Sequence, residues 1–356
     1  MEILIDIAST IASQFQKPTL AFLIGGMLLA AFGSKLEVPE PVYKFIVMLL
    51  LLKVGIGAGI SVREADIASL VLPALLAAGV GVAIVLIGSQ TLARLRGVSK
   101  TDAYATAGLF GAVSASTLAA SMAMLDAEGI AYEGFIGALY PFMDIAALVT
   151  AIVLARLSAA RRVSVTMSSG GAAVMGGGQG TSNLSESGVN GDMVMEILRD
   201  TFRSAAISAL LLGLALGIFA RPDGVYESFY EMLFRGLLSI LMLVMGMEAW
   251  ARLSEMRKVA HAYVLYGILS PILHGMIGFG AGLIAHHFTG FSAGGVVLLS
   301  VMAASSSDIS GPPTLRAALP EANPSAYVGT STGIGTPVAI FSIPLFMALA
   351  DAIIGF

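Results

Sequence analysis

Long apolar stretches interrupted by short polar ones dominate this chain from about residue 19 to its end. A membrane-spanning helix needs about 20 mainly apolar residues. That measure predicts ten spans, at 19–35, 41–60, 69–93, 102–124, 135–156, 197–220, 229–250, 259–287, 291–319 and 325–354. Residues 2–16, EILIDIASTIASQFQ, follow another pattern, with Leu4, Ile7, Ile11 and Phe15 at three- and four-residue spacing. Such spacing suits an amphipathic helix lying in the membrane interface. Between spans five and six, residues 163–192 are rich in Gly and Ser and poor in large apolar side chains, the composition of a flexible linker. The expected organisation is an interfacial segment at 1–18, a first five-helix unit at 19–157, a linker at 158–196 and a second five-helix unit at 197–356.

The two units resemble each other. FLIGGMLLAAFG in span one matches LLLGLALGIFA in span six, and VLPALLAAGVGVAIVLIGSQ in span three matches ILSPILHGMIGFGAGLIAHH in span eight. LFGAVSASTLAA (109–120) likewise faces MAASSSDISGPPT (302–314), and YPFMDIAALVTAI (140–152) faces IGTPVAIFSIPLF (334–346). A unit with an odd number of spans re-enters the bilayer upside down. The fold class expected is therefore an all-α integral membrane protein, ten transmembrane helices arranged as two inverted five-helix repeats. Inverted repeats are a signature of secondary transporters, whose substrate sits near the midplane where broken helices of the two halves cross.

Composition strengthens the membrane reading. The 356 residues are 57% hydrophobic and 12% charged, against about 25% charged in a soluble domain. A net charge of −4 without a basic run offers no footprint for nucleic acid. With no Cys there is no disulfide framework and no thiol nucleophile. Sorted across the ten spans, fourteen Lys and Arg fall on one side and four on the other, with Lys53 inside span two. The richer side is expected to be cytoplasmic, which puts both termini outside, in the periplasm.

The clearest break in a span is SSSDISGPPT, residues 305–314, where Pro312 and Pro313 remove two backbone donors. Broken backbone at membrane depth survives only where protein or a water-filled cavity surrounds it. A half-helix starting near Pro312 is expected to aim its positive end at that cavity, which suits an anion. Ser305, Ser306 and Ser307 add hydroxyls, and the matching segment of span four adds Ser114, Ser116 and Thr117. Asp308 repels an anion unless a cation sits between them, so an anion and a cation are expected together. Asp308 and Asp144, with Ser310 and Thr336, form an all-oxygen donor set that suits Na⁺ better than a transition metal; a proton on the same carboxylates is the rival. Ser121 and the pair Gly55/Gly59 fit close helix packing as well as ligand contact. Lys53, Glu248 and His274 receive no role, His274 reading as a hydrogen-bonded core residue. An anion channel would share this lining, and an intramembrane hydrolase lacks any recognisable Ser, base and acid arrangement.

The blocks GLFGAVSAST (108–117), GALYPFMDIAALVTAIV (137–153), FRGLLSILMLVMGMEAW (234–250), AASSSDISGPPTLRA (303–317) and NPSAYVGTSTGIGTPVAI (323–340) strongly resemble the SbtA family, the cyanobacterial sodium-dependent bicarbonate transporters. The resemblance covers essentially the whole chain. It implies a Na⁺/HCO₃⁻ symporter of the inner membrane serving inorganic-carbon concentration, built of core and gate parts. It further implies a homotrimer, and inhibition by the PII-like soluble trimer SbtB docking on the cytoplasmic face. Bicarbonate rests on the resemblance alone, since nitrate, acetate or formate would satisfy the same hydroxyls.

Overall fold

The computed structural model describes residues 18–64, 67–169, 205–255, 261–308 and 310–356, with Met195, Arg199 and Arg203. The predicted amphipathic segment and residues 170–194 of the predicted linker lie outside the described residues. Every regular element among the described residues is helical. In the first half these are α1 (Pro18–Ala31), α2 (Glu40–Glu64), α3 (Ile67–Leu92), α4 (Lys100–Gly111) and α5 (Ala115–Glu128), then a 3₁₀ turn (Gly134–Leu139) leading into α6 (Tyr140–Ser169). In the second half come α7 (Ala205–Phe219), a π-helical segment (Tyr226–Glu231), α8 (Met232–Glu255), α9 (His261–Thr289), α10 (Ala293–Ala304) and α11 (Gly311–Ala318). The chain closes with α12 (Pro324–Thr330), a second π-helical segment (Ser331–Gly335) and α13 (Thr336–Ile353).

Among the described residues, seven helical stretches are long and apolar enough to cross a membrane. Three shorter apolar helices accompany them, Leu20–Ala31, Ile207–Phe219 and Ala293–Ala304. The protein is an all-α membrane protein. α6 continues to Ser169, past residue 158 where the linker was expected to begin. The residues that carry it on include Ala159, Ala160, Arg161 and Arg162, all good helix formers.

Local chemistry sets several helix ends. Ser99 accepts from the Asp102 N–H at 3.0 Å to start α4, and Ser114 accepts from the Thr117 N–H at 3.1 Å to start α5. Both are N-caps that satisfy an otherwise orphaned donor. Gly129, at φ 68°, closes α5 in the left-handed conformation open to glycine. Glu133 reaches across to α10, accepting from the Ser292 N–H at 2.6 Å and the Ser292 hydroxyl at 2.9 Å.

Glycines decide how the helices cross. A Cβ built on Gly26 of α1 would strike the Leu243 carbonyl of α8, and one on Gly246 of α8 would strike the Leu23 carbonyl of α1. Gly55 and Gly59 of α2 lie in the same way against Leu210, Gly213, Leu214 and Gly217 of α7. The structure thus settles Gly55 and Gly59 as packing residues that let two backbones touch. Ser121, the other residue left open between packing and ligand contact, turns its hydroxyl to the Leu118 carbonyl at 2.8 Å. The stretch holding α4 and α5 is enclosed by protein along its apolar length, so its break never meets lipid.

Candidate functional site

α4 stops at Gly111 and α5 starts at Ala115, while α10 stops at Ala304 and α11 starts at Gly311. The two breaks touch through hydrogen bonds donated by backbone N–H groups. The Ser307 N–H donates to the Leu109 carbonyl at 2.8 Å, and the Ser114 N–H donates to the Ser305 hydroxyl at 2.9 Å. Ser305 in turn donates to the Met302 carbonyl at 2.7 Å. Backbone donors freed by each break are therefore satisfied by the other, as enclosed polar groups require.

Each break also holds a carboxylate. Asp308 lies over the first turn of α5, where its Oδ2 accepts from Ser116 at 2.5 Å and from Ser114 at 3.2 Å. Its Oδ1 has no hydrogen-bond partner among the described residues. Asp144 of α6 lies beside the start of α11, accepting from the Val113 N–H at 3.1 Å and from Ser310 at 3.1 and 3.3 Å. A negative group at a helix start meets the partial positive charge of the unpaired N–H groups there. The second half of the chain thus places a carboxylate on the first half's broken helix, and the first half does the same for the second. None of the ion pairs among the described residues involves either carboxylate.

All ten predicted site residues fall in this region, in three neighbouring groups. Ser114, Ser116 and Thr117 surround Asp308, with the Thr117 hydroxyl donating to Ser114 at 3.0 Å rather than reaching the carboxylate. Ser305 joins this group through the Ser114 N–H, and Ser307 and Ser310 pair at 2.9 Å beside Asp144. Ser306 lies apart from both carboxylates, donating to the Ser331 carbonyl at 3.1 Å and lying 3.3 Å from the Thr336 hydroxyl. All are buried except Asp308, which is partly exposed.

The start of α11 differs from expectation. Its first N–H, at Gly311, is taken by the Ser307 hydroxyl at 2.9 Å, and Pro312 carries none. The broken helix that presents its start to Asp308 is α5. His274 also differs: it is buried, but its Nδ1 lacks a hydrogen-bond partner among the described residues. It packs instead edge-on to the rings of Phe110 and Tyr266.

Sequence reasoning missed Tyr140 and Ser331. Tyr140 lies 3.4 Å from Ser310, and Ser331 opens a π-helical segment whose carbonyl receives Ser306 and Thr336. π-Helical turns recur at functional sites because they free a carbonyl from the regular ladder. Ser116 also lines a narrow crevice, with Leu50, Leu51 and Val54 of α2, Ala119 of α5 and Leu241 of α8.

Helices enough for several membrane crossings, with two broken ones meeting beside the carboxylates of Asp308 and Asp144, define a polytopic membrane transporter. The chain belongs to the Na⁺-dependent bicarbonate transporter superfamily, whose family model matches residues 18–351. It is a transporter, not an enzyme, and Na⁺ and bicarbonate are the family's ions. No curated protein matches the chain.

Proposed function

We propose that this protein imports bicarbonate together with Na⁺ across the inner (plasma) membrane by alternating access, supplying inorganic carbon to the cell. The observation that carries the reading is the pair of enclosed carboxylates, Asp308 and Asp144, each at the start of a broken helix and neither ion-paired among the described residues. Buried charge at membrane depth needs a counter-ion, and Na⁺ supplies it. Asp308 Oδ1 and Ser116 face the cation, with Asp144, Ser310 and Thr336 as further oxygen donors. Ser114, Ser116, Thr117, Ser305, Ser306 and Ser307 offer hydroxyls to the anion, which approaches only once Na⁺ has offset Asp308.

The ten-span inverted repeat belongs to this proposal. The α1–α8 and α2–α7 crossings support it, because exchanging the two halves, span one for six and two for seven, turns one crossing into the other. α1, α2, α7 and α8 then form the gate, and the remaining helices form the core that carries the site past it. The protein assembles as a trimer and binds an SbtB-like regulator on its cytoplasmic face. One Na⁺ per anion at a tenfold gradient contributes about 1.4 kcal/mol, enough for about tenfold accumulation. A second adds as much again, plus about 2.3 kcal/mol per 100 mV.

Uptake of labelled bicarbonate into liposomes, driven by Na⁺ and absent with K⁺, is the test of this reading. Within it, Ser306→Ala is expected to raise the apparent KM for bicarbonate about ten- to a hundredfold, the cost of losing a hydroxyl to a charged partner. An unchanged KM assigns Ser306 to bracing the Ser331 turn. Orientation is tested separately. Cysteines placed in this Cys-free chain at the exposed positions Phe356 and Ser34 are expected to react with an impermeant reagent from outside at 356 only; the reverse pattern overturns the periplasmic termini.

A further inference from the structure

One face of α2 lies against the start of α5, beside the carboxylate site. Val47, Leu50, Leu51 and Val54 recur at three- and four-residue spacing, on one side of the helix. With Leu241 of α8 they close over Ala115, Ser116 and Ala119, and none of these side chains is more than 5% exposed. The crevice between them has room for about one water molecule. Ser116 is its only polar lining group, and the Ser116 hydroxyl already donates to Asp308.

The contact continues along α2 away from the site. A Cβ added to Gly137 of the 3₁₀ turn would lie 2.6 Å from Val54 Cγ1, 3.3 Å from the Val54 carbonyl oxygen and 3.4 Å from Ala58 Cβ. One added to Gly134, earlier in the same turn, would strike the Ser61 hydroxyl. Val54, Ala58 and Ser61 carry the same face toward the end of α2 that the Lys and Arg distribution places outside. A closed strip therefore runs from Ser116 to the outer end of α2. Asp308 is partly exposed, and the water that touches it does not come through this strip. An apolar constriction too narrow for a hydration shell stops an ion without any charged barrier.

We propose that this face of α2, with Leu241, is the outer seal of the carboxylate site, and that the glycines of the 3₁₀ turn are what let it close. The proposal rests on the transport reading above and adds to it the place where the path is shut in this conformation. Opening to the outside then parts α2 from α5 and from the 3₁₀ turn, while the contact of Ser116 with Asp308, which lies within the core, is kept.

The test places a single cysteine at Ala119 of the full, Cys-free chain and follows its reaction with an impermeant thiol reagent in right-side-out and inside-out membrane vesicles. Without Na⁺ this reporter is expected to react slowly from outside, and Gly137→Ala is expected to speed that reaction severalfold by propping Val54 off the turn. Val54→Ala added to Gly137→Ala removes the methyl group in the way and is expected to return the rate to that of the reporter alone. A reporter that reacts from outside as readily as a cysteine at the exposed Phe356, or whose rate Gly137→Ala leaves unchanged, overturns the proposal, as does an acceleration seen only from the cytoplasmic side. Should Gly137→Ala fail to fold, the reporter alone decides: its labelling from outside must rise when Na⁺ and bicarbonate set the cycle running, and an equal rate in K⁺ contradicts the seal. The comparison of the glycine variants needs no transport, so a chain that shows it without Na⁺-driven uptake keeps the seal and loses the transport reading.

Discussion

Asp308→Asn is expected to abolish bicarbonate uptake at ordinary Na⁺, or to raise the Na⁺ needed for half-maximal uptake about a hundredfold or more. Breaking a buried ion pair costs about 3–5 kcal/mol, and here the partner lost is the one that holds the cation. Folding is expected to survive. An Asn oxygen at the Oδ2 position still accepts from Ser116 and Ser114, and the amide falls at Oδ1, where the described residues place no hydrogen-bond partner to be lost. Inserted, folded protein with unchanged Na⁺ dependence would make the carboxylate structural. Asp144→Asn is expected to act in the same direction with a smaller effect, because Val113 and Ser310 already occupy that carboxylate.

Two neighbouring glycines are expected to give opposite results. Gly26→Leu drives a side chain into the Leu243 carbonyl of α8, whereas a Cβ on Gly25 meets nothing within 4 Å. Overpacking ordinarily costs about 1–3 kcal/mol, and it costs more when the obstacle is backbone that cannot rotate away. Gly26→Leu should therefore lower the yield of folded, monodisperse protein severalfold in detergent, while Gly25→Leu leaves it near the parent level. Equal behaviour of the two variants in size-exclusion and thermal-melt measurements would remove the α1–α8 crossing from the account.

The apolar segments could be read directly, because hydropathy over about 20 residues reports a spanning helix without tertiary information. The break before α11 was equally legible, since Pro312 and Pro313 fit the first turn of a helix but not the interior of a continuous one. The break between α4 and α5 has no such local mark. Its geometry is held by Ser305 and Asp144, and its carboxylate, Asp308, lies 194 residues beyond Ser114. Only folding brings those partners together. Residue types therefore singled out ten residues that the fold brings into one region, but not their division around Asp308, Asp144 and Ser306. Ser331 was hidden for a related reason, as its role comes from a π-helical turn that the run STGIG does not announce. Lys53 stood out as a charge inside an apolar helix, yet its partner Glu231 sits in the segment before α8, with nothing in the sequence to join them.

Bicarbonate uptake by purified protein in liposomes, with Na⁺ or K⁺ outside and Asp308→Asn run alongside, tests the central claim most directly. The account predicts saturable uptake of labelled bicarbonate with Na⁺, none above background with K⁺, and loss of the Na⁺-driven component in the variant. Equal uptake in Na⁺ and K⁺ would contradict it and make the protein a passive path for anions.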